Sequence, residues 1–267
     1  MNKMSIFKAG KFELDLSKKT YIMGILNVTP DSFSDGGKWF NAADAVAHAM
    51  QMQADGADII DIGAQSTRPG CVKITAAEEL KRLLPVLSIL RGKIRVPISV
   101  DTFYPKVAKE ALNHGVNIIN DVTGFKDSEM MKIACQSDCG CIVMHDGPNK
   151  QMRGFFEAEL EEMLKRGISK ERICFDPGIG FGKTYEENLS VVRNLKSYSI
   201  DGCAVLVGAS RKRVIGAPCE NPPFEERLPG TIAAHTIALI GGANILRVHD
   251  VKAAVQAAQV AYAIMKG

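Results

Sequence analysis

The feature that most constrains this chain is a repeat of pattern rather than of residues. Eight short apolar runs alternate with amphipathic stretches, and each run ends in polar residues. The runs cover 21–28, 57–63, 96–102, 117–122, 141–145, 172–176, 203–210 and 244–249. Segments such as ADIIDIG and CAVLVGAS are apolar without alternation, as expected of strands buried on both faces of a parallel sheet. The stretches between them carry helix signals. Asn41 is a competent N-cap for 41–56, which stops at Gly56. Thr75-Ala-Ala-Glu78 has the capping-box pattern and opens a helix to Arg91. Pro105 suits the first turn of 105–114, which ends before Gly115. Further helices are predicted over 128–136, 155–166, 185–195, 231–240 and 251–265. Ahead of the first run, Ala9-Gly10-Lys11 reads as the turn of a short hairpin. Eight strand–helix units with no break in composition predict an α/β fold. That fold is a single-domain (β/α)8 TIM barrel over 1–267 with a short N-terminal hairpin; an open doubly wound sheet is the alternative.

A chain of 267 residues with 46% apolar and 24% charged residues buries a sizeable core without disulfides or structural metals. Its net charge of +3 is dispersed, with no polybasic run, which argues against nucleic acid as a partner. The first residues hold no apolar signal-peptide core, and no stretch of about 18 apolar residues occurs. The expectation is a cytoplasmic protein with no membrane contact. Cys135, Cys139 and Cys141 form a C-x3-C-x-C run without a fourth ligand, so they read as reduced, buried thiols rather than a metal site.

In a barrel of this kind the active site gathers at the C-terminal ends of the strands. Those ends carry Asn27, Asp61, Asp101, Asn120-Asp121, His145-Asp146, Asp176, Ser210-Arg211-Lys212 and Arg247-Val-His249. A polar rim alone needs no ligand, because loops face water. Asp101, Asn120 and Asp176, however, tip apolar strands, where an unpaired acceptor is expensive. A ligand rich in N–H donors, such as a pterin ring, satisfies them. Arg68, Lys212, Arg247 and His249 are suited to an anion, Arg as a bidentate fork and Lys as a point charge. The rim therefore divides, on this reading, into an acceptor-rich pocket and an anion-binding side. Asp61 is read only as an anchor of the second loop. GIGFGKT resembles a phosphate loop, but its glycine spacing does not match one.

The motifs NVTPDSFSDGG, STRPG, SVDT, IND, DPGIGFGK, SRK and RVHD, in that order, resemble those of dihydropteroate synthases over residues 21–250. The resemblance implies a transferase of folate biosynthesis that joins a pterin pyrophosphate to p-aminobenzoate and is a sulfonamide target. It implies catalytic roles for Asp101, Asp176 and Lys212. The pterin pyrophosphate would be held by Thr67, Arg68, Asp101, Asn120, Asp176, Lys212, Arg247 and His249. A Mg²⁺ cofactor would be bound through Asn27, and the family's homodimers would extend to this chain. Loops over 28–39 and 64–73 would close on the substrates. Phe33, Asp35, Thr67, Pro69 and Arg213 would frame the p-aminobenzoate side.

Three features depart from the pattern. Ala64-Gln65 stands where Gly-Glu is commoner, Arg213 stands where Ser is common, and the segment after His145 is short. Two rival functions share the barrel. A methyltetrahydrofolate-dependent methyltransferase has no use for the cations in STRPG, SRK and RVHD. A non-catalytic pterin-binding paralogue would be expected to have lost Asn27, Arg68, Lys212 or Arg247, and all four are present.

Overall fold

The computed structural model describes residues 6–29, 42–65 and 72–266. The chain opens with a hairpin of β1 (Ile6–Ala9) and β2 (Phe12–Asp15), paired antiparallel. Its turn uses Gly10 at φ +58°, a left-handed backbone that glycine adopts without penalty. Eight parallel strands follow: β3 (Tyr21–Asn27), β4 (Ile59–Gly63), β5 (Ile98–Asp101), β6 (Ile118–Asp121), β7 (Gly140–Met144), β8 (Ile173–Asp176), β9 (Ala204–Val207) and β10 (Ile245–Val248). They are hydrogen-bonded in sequence order, and β10 pairs with β3 to close the barrel. The expected (β/α)8 barrel with its hairpin is therefore the observed fold.

The helices are α1 (Ala42–Ala54), α2 (Ala76–Leu90), α3 (Pro105–Asn113), α4 (Ser128–Cys135), α5 (Asn149–Lys165), α6 (Tyr185–Arg193), α7 (Leu195–Tyr198), α8 (Arg213–Gly216), α9 (Leu228–Ile240) and α10 (Val251–Lys266). Thr75 caps α2 by accepting from the Glu78 amide, one half of the expected capping box; the Glu78 carboxylate accepts instead from Arg82 Nε at 3.0 Å. The fifth helix starts at Asn149 rather than 155, because Pro148 supplies an extended N-cap and the Glu187 carboxylate binds the Asn149 amide. The ninth begins at Leu228, with Pro229 in its first turn. The one-turn helices α7 and α8 were not anticipated from the apolar periodicity. Among the described residues no helix is long and apolar enough to cross a membrane.

Strand alternation sorts the core into two bodies. Ile22, Leu26, Ile60, Ile62, Ile119, Val143, Phe175 and Val207 face outward under the helices. Tyr21, Met23, Ile59, Ile118, Ile142, Cys174, Leu206 and Ile245 fill the barrel interior together with Phe7, Ala9 and Leu14 of the hairpin. The hairpin thus plugs the N-terminal end. It packs so closely that a Cβ on Gly140, the first residue of β7, would lie 2.8 Å from the Phe7 ring. Moving two residues along each strand keeps the inward parity: Ile59 leads to Asp61, Ile118 to Asn120, Cys174 to Asp176 and Ile245 to Arg247. The interior turns from oil to charge within one layer.

Candidate active site

That polar layer is built by register. Gly63, Asp101 and Asn120 sit side by side across β4, β5 and β6, and Met144 lies beside Asp176 across β7 and β8. Arg247 reaches across the barrel from β10. Its Nε donates to Asp61 Oδ2 at 2.6 Å and its Nη2 to Asp101 Oδ2 at 2.7 Å. Asn120 Nδ2 donates to Asp61 Oδ2 at 3.3 Å. Asp61 is fully buried, so its two partners are what make its burial tolerable. Asp101 Oδ1, by contrast, is buried with no partner.

The opposite wall is set by the glycine-rich loop after β8. Asp176 Oδ1 accepts the Gly178 amide at 2.8 Å. A Cβ on Gly178 would fall 2.2 Å from the His145 carbonyl oxygen, and one on Gly182 would fall 2.7 Å from the Gly147 amide. Both residues have positive φ, +66° and +56°. Only glycine lets this loop lie against the end of β7. The loop in turn offers the Ile179 carbonyl to Lys212 Nζ at 2.5 Å, with the ammonium 4.8 Å from the Phe181 ring centroid. Lys183 ties the same loop to β7 by donating to the His145 carbonyl at 3.1 Å.

Burial dominates the electrostatics. It raises Asp101 to about 7, against the pull of Arg247. Burial also raises Asp176, with Lys212 acting in the opposite sense. Lys212 is lowered by burial to about 8, resisted by Asp176. Burial would lower Arg247 too, but Asp61 and Asp101 outweigh it and keep the guanidinium charged. The layer therefore combines carboxylates with unfilled acceptor capacity and two cations in a water-poor barrel. Such an arrangement can hold a donor-rich ring and stabilise an anion leaving beside it.

A family model described as "Pterin binding enzyme" matches residues 23–249. The chain belongs to the pterin-binding enzyme family. A dihydropteroate synthase of Clostridium beijerinckii is 43% identical, over 91% of this chain and 94% of that protein. A solved dihydropteroate synthase of Clostridium difficile, determined in the presence of pteroic acid, is similar with a TM-score of 0.90 at 43% identity, covering 95% of this chain and 100% of that one. The Xanthomonas albilineans dihydropteroate synthase solved with 4-aminobenzoic acid gives a TM-score of 0.94 at 36% identity, covering 99% of this chain and 100% of that one.

Within this pterin-binding barrel, Asp101, Asn120, Asp176, Lys212 and Arg247 converge, and Asn27 ends β3 beside Gly63. His249 is joined to Ser210, whose Oγ lies 2.9 Å from its Nδ1, and meets the Phe224 ring edge-on. Arg213 starts α8 and is exposed. Phe33, Asp35, Thr67, Arg68 and Pro69 lie outside the described residues. Two expectations need correction. The expected acceptor and anion sides are not separate at Arg247, which is clasped by the carboxylates of Asp61 and Asp101. Nor is Asp61 a loop anchor; it is the most buried member of the charged layer. The missed signal was parity: in ADIIDIG, Asp61 alternates with Ile59 and points inward with it.

The departure at Gln65 has a local reason. Its Nε2 donates at 3.2 Å to the fully buried carboxylate of Glu79, a group that burial raises to about 7. A second carboxylate at 65 would repel Glu79, whereas the amide supplies a donor. Of the three cysteines expected to be buried, Cys139 and Cys141 are, whereas Cys135 is only half-buried.

Proposed function

We propose that this chain is a dihydropteroate synthase acting at the charged end of its barrel. It condenses 6-hydroxymethyl-7,8-dihydropterin pyrophosphate with p-aminobenzoate, giving 7,8-dihydropteroate and pyrophosphate. The observation that carries this reading is the inward layer in which Asp101, Asn120 and Asp176 stand next to Arg247 and Lys212, with the Asp101 Oδ1 acceptor unfilled. Asp101, Asn120 and Asp176 accept from the amine and ring N–H groups of the pterin. Asp101 and Asp176 also stabilise positive charge as the bond to pyrophosphate loosens, and Lys212 holds the ring edge. Arg247, His249, Thr67 and Arg68 take the pyrophosphate. Phe33, Asp35, Thr67, Pro69 and Arg213 line the arylamine side. No protein nucleophile is needed, because the electron-rich pterin supports a dissociative substitution and the arylamine then attacks the methylene carbon.

A Mg²⁺ ion fits this donor set. Among the described residues no three His, Cys, Asp or Glu converge to form a protein cage. Mg²⁺ characteristically takes one or two protein oxygens together with substrate phosphates and water. Asn27 offers such an oxygen. When bound, Mg²⁺ neutralises charge on the departing pyrophosphate. Exposed Ile237 and Ile240 on α9, with Val260, Ile264 and Met265 on the adjoining α10, support a homodimer through these helices. The chain works in the cytoplasm, without nucleic acid or membrane.

The test is direct. Purified protein supplied with Mg²⁺, the pterin pyrophosphate and p-aminobenzoate yields dihydropteroate and pyrophosphate in equal amounts. A folded protein that binds pterin but forms no product would sink this reading in favour of the non-catalytic paralogue.

A further inference from the structure

The loop that delivers Lys212 leaves the barrel just beyond the end of β9, where strand pairing has stopped. Its amides need other acceptors, and α9 supplies them. The Ala209 amide donates to His235 Nε2 at 3.2 Å, and the Arg211 amide donates to Thr231 Oγ1 at 2.9 Å. Arg227 Nη1 adds a bond to the Arg211 carbonyl at 3.2 Å. Between these fixed points Arg211 sits at φ +55°, a conformation costly for a residue with a Cβ. The clamp holds it there. The outcome is that Ser210 faces His249, and Lys212 faces Ile179 and Asp176.

His235 is the unusual member of this clamp. It is buried in the middle of an apolar helix, and its Nδ1 has no partner. A ring that accepts at Nε2 must be neutral and carry its proton on Nδ1. Burial, reinforced by the charge of Lys212, lowers His235 to about 4 and so keeps the acceptor available. His235 also lines a void of about 10 Å³ whose other walls are mostly apolar, room for one water at most.

Resting on the site reading above, we propose that His235 is a positioning residue for the reaction. Its neutral imidazole latches the Ala209 amide and thereby sets the placement of Lys212 and of the Ser210–His249 pair.

The test compares His235→Leu, which removes the acceptor at similar bulk, with His235→Gln, which keeps one. The Leu variant loses about 10- to 100-fold in kcat, the penalty expected of a misplaced catalytic group, and amide exchange of residues 208–212 speeds up. The Gln variant restores slow exchange and most of the turnover. Nitrogen chemical shifts of the unsubstituted protein at pH 7 report the Nδ1–H tautomer. Equal kcat in the Leu variant and the parent, equal loss in both variants, unchanged loop exchange, or an Nε2–H tautomer would each overturn the proposal. The tautomer of the unsubstituted protein and the slow exchange of the Gln variant are readouts that stand even if the Leu variant folds poorly. They also do not depend on turnover, so a parent protein without synthase activity would contradict the function and leave the latch to be judged on its own.

Discussion

The two ends of the barrel are made from the same strands and obey opposite rules. At the N-terminal end Phe7, Ala9 and Leu14 of the hairpin close over Met23, Ile59, Ile118 and Leu206, and the pairing of β1 with β2 satisfies backbone groups locally. At the other end, one layer along, the inward positions are Asp61, Asp101, Asn120, Asp176 and Arg247. There burial works against the charges, and an acceptor of Asp101 is left without a donor. Burial without unmet demand marks the end that stabilises the fold. Burial with unmet demand marks the end that waits for a ligand.

The contrast can be broken most severely at Arg247. Removing the guanidinium in Arg247→Ala leaves Asp61 and Asp101 facing each other in the barrel. Stability should fall by about 3–5 kcal/mol, as when one partner of a buried ion pair is deleted, and turnover should drop by up to about a thousandfold, the upper range for one electrostatic contact to a developing charge. Denaturant unfolding and steady-state rates at saturating substrate check both numbers; retention of near-full turnover would refute the role of the residue.

Phe7→Ala probes the other end. A fully buried aromatic ring should cost about 3–5 kcal/mol when truncated, while kcat per folded molecule stays unchanged. A fall in kcat with the fold intact would mean that the plug and the site are coupled, and the division between the ends would fail.

How much of this was legible in the sequence follows from the range of the interactions. Strands, capped helices and the hairpin turn depend on neighbours a few residues away, so apolar runs, Thr75 and Gly10 announce them. The convergence of Asp101, Asn120 and Asp176 was also legible, because each tips a strand and a parallel barrel gathers strand tips. The bond from Arg247 to Asp61 was not, since it spans 186 residues and exists only once β10 closes onto β3. The early start of α5 depends in the same way on Glu187, 38 residues distant. The one-turn helices α7 and α8 are too short to leave a periodic trace.

A smaller effect sharpens the comparison at the edge of the charged end. Arg213 is exposed at the start of α8, so Arg213→Ser should leave turnover near normal. Sulfonamide inhibition should shift by about twofold to fivefold, the scale of one exposed charge. Identical inhibition curves for the two proteins would remove Arg213 from the arylamine side.

The central claim, that the charged end is maintained at the expense of stability, is tested most directly by melting Asp101→Asn beside the parent protein across pH. Asp101 is raised from 3.8 to about 7, so between these values the folded chain holds a proton that the unfolded chain releases. Its contribution to stability is therefore present at low pH and is lost as pH rises through 7. At pH 8 the variant should melt a few degrees higher, about 2–4 °C for each kcal/mol recovered. At pH 4 the gain should vanish, and turnover should be lost at every pH. A variant that melts lower than the parent at pH 8, or that still makes dihydropteroate at the parent's rate, would contradict the account.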